Sequence, residues 1–285
     1  MNQYTPPPIV CRKRTINFAE SPFIVGIVNV TPDSFSDGGG CFSREQAVAH
    51  GLRLADEGAD IIDIGGESTR PGAVPISAAE EIQRVLPVIE ELAGKIDVPL
   101  SIDTTKADVA RRAIEAGAEI VNDVSALRFD PEMGDVVAAC RVPVVLMHMR
   151  GTPRTMQHDI HYQSLIDDIR GFLEERIECA VRMGIALKNI IIDPGIGFGK
   201  SLEKDNLSIL KNLAAFTALG RPILVGTSRK GFIGKLLGTP VHEREEGTAA
   251  TVAIAIYNGA HMVRVHDVKR MKMVAAVANA IKKSS

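Results

Sequence analysis

The chain has 285 residues, 45% of them hydrophobic and 24% charged, with 33 basic against 35 acidic side chains. That is an ordinary globular composition, long enough to bury a large core. The near-balanced charge argues against a nucleic-acid partner and against an acidic solvating tail. The four cysteines, Cys11, Cys41, Cys140 and Cys179, show no CxxC and no zinc spacing, and read as reduced thiols of a cytosolic protein.

Residues 1–22 carry prolines and a basic cluster, with no apolar stretch of the signal-peptide kind behind them. They are read as an N-terminal extension in which Val10–Phe18 caps the bottom of the domain that follows. The longest apolar stretch, Thr248–Tyr257, is too short and too rich in alanine to span a bilayer. A cytoplasmic location without a membrane partner is expected.

From residue 23 to 285 one pattern recurs. A small-residue turn leads into a β-branched run that ends in a polar residue, as in Gly58-Ala59-Asp60-Ile61-Ile62-Asp63, Gly117-Ala118-Glu119-Ile120-Val121-Asn122 and Gly259-Ala260-His261-Met262-Val263-Arg264. Glycine suits the left-handed end of a helix, and consecutive apolar residues suit a strand buried on both faces of a parallel sheet. Eight strands are predicted, at Ile24–Asn29, Ile61–Ile64, Leu100–Asp103, Ile120–Asp123, Val144–Met147, Ile190–Asp193, Ile223–Gly226 and Met262–Val265. Helices are predicted at Ser43–Glu57, Ser77–Ala93, Lys106–Glu115, Pro131–Cys140, Tyr162–Met183, Leu202–Leu219, Glu243–Asn258 and Val268–Lys282. Ser77-Ala78-Ala79-Glu80 has the spacing of a capping box. Eight strands alternating with helices predict an α/β (β/α)8 barrel in a single domain. An open doubly wound sheet would carry a glycine-rich turn after its first strand, where this chain has Val28-Asn29-Val30-Thr31-Pro32-Asp33.

In a barrel the catalytic groups gather where strands end. Here those ends carry Asn29, Asp63, Asp103, Asn122 with Asp123, His148, Asp193, Ser228 with Lys230, and Arg264 with His266. Two long polar loops, Asn29–Gly40 and Gly66–Gly72, read as lids. The segment Asp193–Ser201 fails the Walker A pattern, because Pro194 stands where a glycine is needed five positions before Gly199. It also fails GxGxxG, and its glycines are expected to pass close to a ligand. His158 and His161 lack carboxylate companions and read as surface residues. Arg264, His266 and Arg70 can hold a polyanion such as diphosphate. Asp103, Asn122, Asp193 and Lys230 can pair with the donor edge and the carbonyl of a planar heterocycle. The residues therefore point to a polyanion beside a heterocycle, without saying which heterocycle.

Taken as whole motifs, these segments resemble the dihydropteroate synthase family of pterin-binding barrels. The motifs are Gly26–Gly39, Asp63–Gly72, Ser101–Thr104, Asn122–Val124, Met147–Met149, Asp193–Lys200, Ser228–Lys230 and Arg264–Val268, in that order. The resemblance implies joining of 7,8-dihydropterin-6-ylmethyl diphosphate to 4-aminobenzoate with release of diphosphate. It also implies that Asp103, Asn122, Asp193 and Lys230 hold the pterin, that Asn29 binds Mg2+, and that Arg264, His266 and Arg70 take the diphosphate. Thr69, Pro71, Phe35, Phe198 and Ser228 would shape the 4-aminobenzoate pocket, with Met147 as a further substrate contact. Asp103, Lys230, Arg264, His266 and Arg70 are the implied catalytic set, Mg2+ the implied cofactor and a homodimer the implied assembly. One departure is Gly231, where many members carry a polar residue; it removes a side-chain contact to the benzoate carboxylate. A pterin-binding methyltransferase with a corrinoid partner, and a silent pterin-binding paralogue, are the alternatives. Asp63, Asp123 and His148 are read as supports for the loops.

Overall fold

The computed structural model describes residues 5–31 and 43–284. Its first elements, β1 (Ile9–Val10) and β2 (Thr15–Ile16), pair as a short antiparallel hairpin. Eight parallel strands follow: β3 (Phe23–Asn29), β4 (Ile61–Gly65), β5 (Leu100–Asp103), β6 (Ile120–Asp123), β7 (Val144–Met147), β8 (Ile190–Asp193), β9 (Leu224–Val225) and β10 (Met262–Val265). Their order is β8-β7-β6-β5-β4-β3-β10-β9, and a bridge between Ile192 and Ile223 closes the ring. Each strand pairs with its neighbours in the chain, and the first, β3, pairs with the last, β10, as a (β/α)8 barrel requires. β9 is shorter than its sequence run because the Ile223 N–H is taken by His261 Nδ1.

The outer residues of the strands (Ile24, Ile62, Ile102, Val121, Leu146, Ile192 and Val263 among them) pack under the helices in one continuous core. The inner residues divide into two levels. Val25, Ile61, Ile120, Val145, Ile191, Leu224 and Met262 form an apolar floor, sealed from below by Ile9, Cys11, Ile16 and Phe18 of the N-terminal segment. Side chains two positions apart lie on the same strand face. Two residues beyond Ile61, Ile120, Ile191 and Met262 come Asp63, Asn122, Asp193 and Arg264. The period of the strand thus sets a polar layer on top of an apolar one.

The helices are α1 (Arg44–Asp56), α2 (Ala78–Ala93), α3 (Ala107–Ala116), α4 (Met133–Cys140), α5 (Leu165–Arg182), α6 (Asp205–Lys211), α7 (Gly231–Leu237), α8 (Glu245–Tyr257) and α9 (Val268–Lys283). Ser43 and Gln46 make a reciprocal capping box on α1. At α2, Ser77 accepts from the Glu80 N–H, but the Glu80 carboxylate turns to Arg84 at 2.5 Å, so the spacing gives half a box. The helix expected over 202–219 divides into α6 and a 3-10 segment at Leu213–Leu219. Ser201 and Asp205 exchange hydrogen bonds and start α6 late, and Asn212 donates to the Ser208 carbonyl, competing with the helix ladder. α7 lies in a stretch for which no helix is predicted; a Cβ at Gly234 would stand 2.3 Å from the Arg244 guanidinium. Among the described residues no helix is long and apolar enough to cross a membrane.

Candidate active site

Within the polar layer, Arg264 is the hub. Its Nε donates to Asp63 Oδ2 at 2.6 Å and its Nη2 to Asp103 Oδ2 at 2.8 Å. Asp63 Oδ2 also accepts from Asn122 Nδ2 at 3.0 Å. One carboxylate, 1% exposed, therefore orients both an arginine and an amide. Below it, a cavity of about 10 Å³ touches Asp63, Ser101 and Asn122 on one side and the apolar floor on the other. Of the residues expected around the heterocycle, Asp103, Asn122 and Asp193 come from the inner faces of β5, β6 and β8. Arg264 was expected to face the diphosphate, but two of its donors are committed to the carboxylates below, leaving Nη1 for a ligand.

Asp193 and Lys230 complete the layer. Asp193 Oδ1 accepts from the Gly195 N–H at 2.7 Å. Lys230 donates to the Ile196 carbonyl, and its Nζ lies 4.8 Å from the Phe198 ring centroid. Burial pushes the Asp193 carboxyl up, with Lys230 opposing, and pulls Lys230 down to about 8, with Asp193 opposing. Asp103 is pushed up to about 7 by burial, against the pull of Arg264 and with a further push from Asp63. Such displaced carboxyl and ammonium groups facing one another mark a site that trades protons or hydrogen bonds with a ligand. Beside them, Met147 is buried with Val124, Met149 and Met156, and Phe198 packs on that cluster. The result is an apolar wall next to a polar floor.

Across the mouth, Ser228 and His266 are paired. The His266 N–H donates to Ser228 Oγ at 3.2 Å, and the same Oγ lies 2.9 Å from His266 Nδ1. The hydroxyl has one proton to give and a second lone pair to offer, so the pair holds the imidazole in place through Nδ1 and leaves Nε2 facing the mouth. Burial first, and then Arg229, Arg264 and Arg70, bring the His266 pKa down to about 3. Arg229 is paired with Glu245 and Arg264 with Asp63 and Asp103, so the free side of Arg264 and the exposed Arg70 are what a polyanion would meet beside the neutral imidazole. Arg70 and Pro71 are exposed and Thr69 is half-buried on the second lid. Asn29 ends β3, half-buried, in register with Gly65. Phe35 and most of the first lid lie outside the described residues.

The supporting residues hold the loops. Asp123 accepts from the Ser125 and Leu127 N–H groups at 2.8 and 2.7 Å, fixing a turn in which Ala126 and Leu127 adopt left-handed φ of 55° and 63°. His148 Nδ1 faces Lys200 Nζ at 2.7 Å, and the same ammonium donates to the His148 carbonyl at 3.0 Å. The glycines of 195–199 lie close to protein: a Cβ at Gly195 would stand 1.8 Å from the His148 carbonyl oxygen, at Gly199 2.6 Å from Arg150 and at Gly197 3.1 Å from Lys230. Sequence reading missed Lys200, which is fully buried. A lysine after a glycine loop carries no signal of burial. His158 and His161 are exposed, and among the described residues no three His, Cys, Asp or Glu side chains could hold a metal together.

A (β/α)8 barrel with an apolar floor, a layer of carboxylate, amide and ammonium groups above it, and a cationic rim defines an enzyme that binds a planar polar ring and an anion. Comparison with known proteins agrees. The family model described as "Pterin binding enzyme" matches residues 25–266. A dihydropteroate synthase from Synechocystis is 45% identical over 282 residues, covering 99% of this chain and 97% of that protein. A solved Xanthomonas albilineans dihydropteroate synthase with 4-aminobenzoic acid superposes with a TM-score of 0.91 at 47% identity, covering 99% of this chain and all of that one. The same organism's enzyme in complex with 7,8-dihydropteroate gives 0.88 at 45% identity, with coverage of 98% and 100%. The chain belongs to the dihydropteroate synthase family of pterin-binding enzymes.

Proposed function

We propose that this chain condenses 7,8-dihydropterin-6-ylmethyl diphosphate with 4-aminobenzoate, releasing diphosphate and forming 7,8-dihydropteroate, at the mouth of the barrel. The observation that carries the reading is the polar layer itself. Asp193 offers a carboxylate to the donor edge of the pterin, Lys230 an ammonium to its carbonyl, and Asn122 and Asp103 complete the floor. Arg264, held flat between Asp63 and Asp103, keeps one nitrogen for the ligand. The His266 imidazole and the Arg70 guanidinium serve the diphosphate.

The bond between the pterin methylene and the diphosphate oxygen breaks, and its electron pair leaves with the diphosphate. The aniline nitrogen forms the new bond to the methylene and gives up a proton. No side chain needs to act as nucleophile. The protein contributes placement of two substrates and stabilisation of the charge on the leaving group. Thr69, Pro71, Phe198 and Ser228 would shape the 4-aminobenzoate pocket, with Met147 in the wall behind Phe198. Mg2+ fits as a cofactor arriving with its phosphates: Asn29 supplies one amide oxygen at a strand end, and Mg2+ commonly takes few protein ligands plus phosphate and water. When bound, it would neutralise charge on the departing diphosphate.

The homodimer rests on α9 and its neighbours. Met273, Val277 and Ile281 recur every fourth residue on α9 and are 61%, 61% and 57% exposed, and Ile254 and Tyr257 of the adjoining α8 are exposed with them. Such a stripe suits a second copy of the chain. Free Cys11, Cys140 and Cys179 suit a reducing cytoplasm.

A diphosphate-release assay tests the reading. Release is expected only when dihydropterin diphosphate and 4-aminobenzoate are both present. Methyl transfer from methyltetrahydrofolate, or pterin binding without release, would replace it with another function.

A further inference from the structure

Away from the pterin layer, a second buried ionic cluster joins three parts of the barrel mouth. Lys106, at the N-cap of α3, donates from Nζ to Glu81 Oε2 at 2.5 Å and to Glu67 Oε2 at 3.0 Å. Glu81 lies on α2 and is fully buried; Glu67 belongs to the second lid. The other oxygen of Glu67 accepts from the Ile76 N–H at 2.7 Å. A single carboxylate thus ties the lid's first residues to its last, nine positions on, and presents the closed loop to Lys106.

The lid has a further anchor at its root. Arg84 Nη1 donates to the Gly66 carbonyl at 2.8 Å. A Cβ at Gly66 would stand 2.7 Å from Val85 and 3.0 Å from Glu81, so the lid leaves the barrel pressed against α2. On the other side the Lys106 N–H donates to Thr104 Oγ1, and Thr104 follows Asp103 of the pterin floor. Between its two ends the lid carries Thr69, Arg70 and Pro71. Glu81 is fully buried while Lys106 and Glu67 keep a little solvent, so the lysine ties the lid's carboxylate to one that is fixed inside the barrel wall.

We propose that Lys106 is a positioning residue for the reaction: with Glu67 and Glu81 it fixes the second lid against the strand end that carries Asp103, and so sets where Arg70 and Thr69 meet the bound substrates. Lys106 touches no reacting atom and acts through the lid. Burial works against charge on Lys106, yet the two carboxylates keep its pKa above the ordinary lysine value, so it remains an ammonium across the working range. The proposal rests on the reading that the second lid covers the 4-aminobenzoate side.

Steady-state kinetics of the full chain, with calorimetric titration of the pterin substrate, separates this from a merely structural role. Glu67→Gln keeps an acceptor for Ile76 and leaves the Lys106–Glu81 pair whole, while cutting the tie to Lys106. It should raise KM for 4-aminobenzoate about tenfold, the equivalent of one charge-assisted hydrogen bond, with the Kd for dihydropterin diphosphate unchanged. The triple variant Glu67→Gln/Lys106→Met/Glu81→Gln, which leaves no charge of the cluster alone, should do the same, and Lys106→Arg should keep the parent KM. An unchanged KM in folded Glu67→Gln overturns the proposal. So does a parallel loss of pterin affinity and melting temperature, which would make the cluster a fold support alone. Arg70→Ala run alongside isolates the underlying reading: if it leaves turnover intact, the lid reading fails, whereas a slow Arg70→Ala beside a normal Glu67→Gln removes only Lys106.

Discussion

Asp63 lies beneath the residues that meet the ligand, and replacing it with asparagine tests whether the polar layer is a connected unit. Its Oδ2 receives Arg264 Nε at 2.6 Å and Asn122 Nδ2 at 3.0 Å. Asparagine keeps the shape and one acceptor oxygen but removes the charge. Its NH2 would take the place of Oδ1, which has no hydrogen-bond partner among the described residues. Breaking a buried ion pair commonly costs about 3–5 kcal/mol, but Asp103 still holds Arg264 Nη2, and hydrogen bonds to charged groups contribute about 1.5–3 kcal/mol. A loss of about 2–3 kcal/mol follows, with no large discount for solvent because the carboxylate is 1% exposed. For a chain of this size that lowers the melting temperature by about 3–5 °C. The amide of Asn122, no longer drawn down by a charge, should also weaken pterin binding by about 10- to 100-fold. Thermal denaturation followed by calorimetric titration with a pterin ligand measures both. A variant that melts within a degree or so of the parent and binds pterin equally well would refute the connected layer.

The pH profile follows from two displaced groups. Asp103, raised to about 7 by burial, must be ionised to hold Arg264, so its contribution is lost as pH falls through about 7. Lys230, lowered to about 8 by burial, must be protonated, and its contribution is lost as pH rises through about 8. A plot of kcat/KM for the pterin substrate should peak between these values, and Lys230→Arg should carry the alkaline limb upward; a flat profile from about pH 6 to about pH 9 would contradict both assignments. Asp193→Ala should abolish pterin binding by calorimetry, while Arg70→Ala should cut turnover more than pterin affinity; equal effects of the two would show that the floor and the lid are not separate. At the other end of the barrel, Ile16→Ala should cost about 2–4 kcal/mol in denaturant unfolding without altering KM, because it opens a cavity under the apolar floor. A loss below about 1 kcal/mol would mean the hairpin is only loosely seated.

Much of this protein was legible in the chain. The repeated turn, apolar run and polar end gave eight strands. Five of them (β5, β6, β7, β8 and β10) begin and end where expected, because a strand buried on both faces must be apolar throughout until it reaches the mouth. The same alternation placed Asp63, Asn122, Asp193 and Arg264 at one level, since residues two apart share a face. What sequence could not give is which of these groups face each other. Arg264 stands 201 positions from Asp63 and 161 from Asp103, and only closure of the ring makes them partners. Nor could sequence show that Lys200 is buried against His148, that the glycines at 195–199 lie close to protein, or that Glu67 meets Lys106. Each of those outcomes turns on close approach between different strands and loops, and a local pattern records the face a residue takes, not the neighbour it finds there.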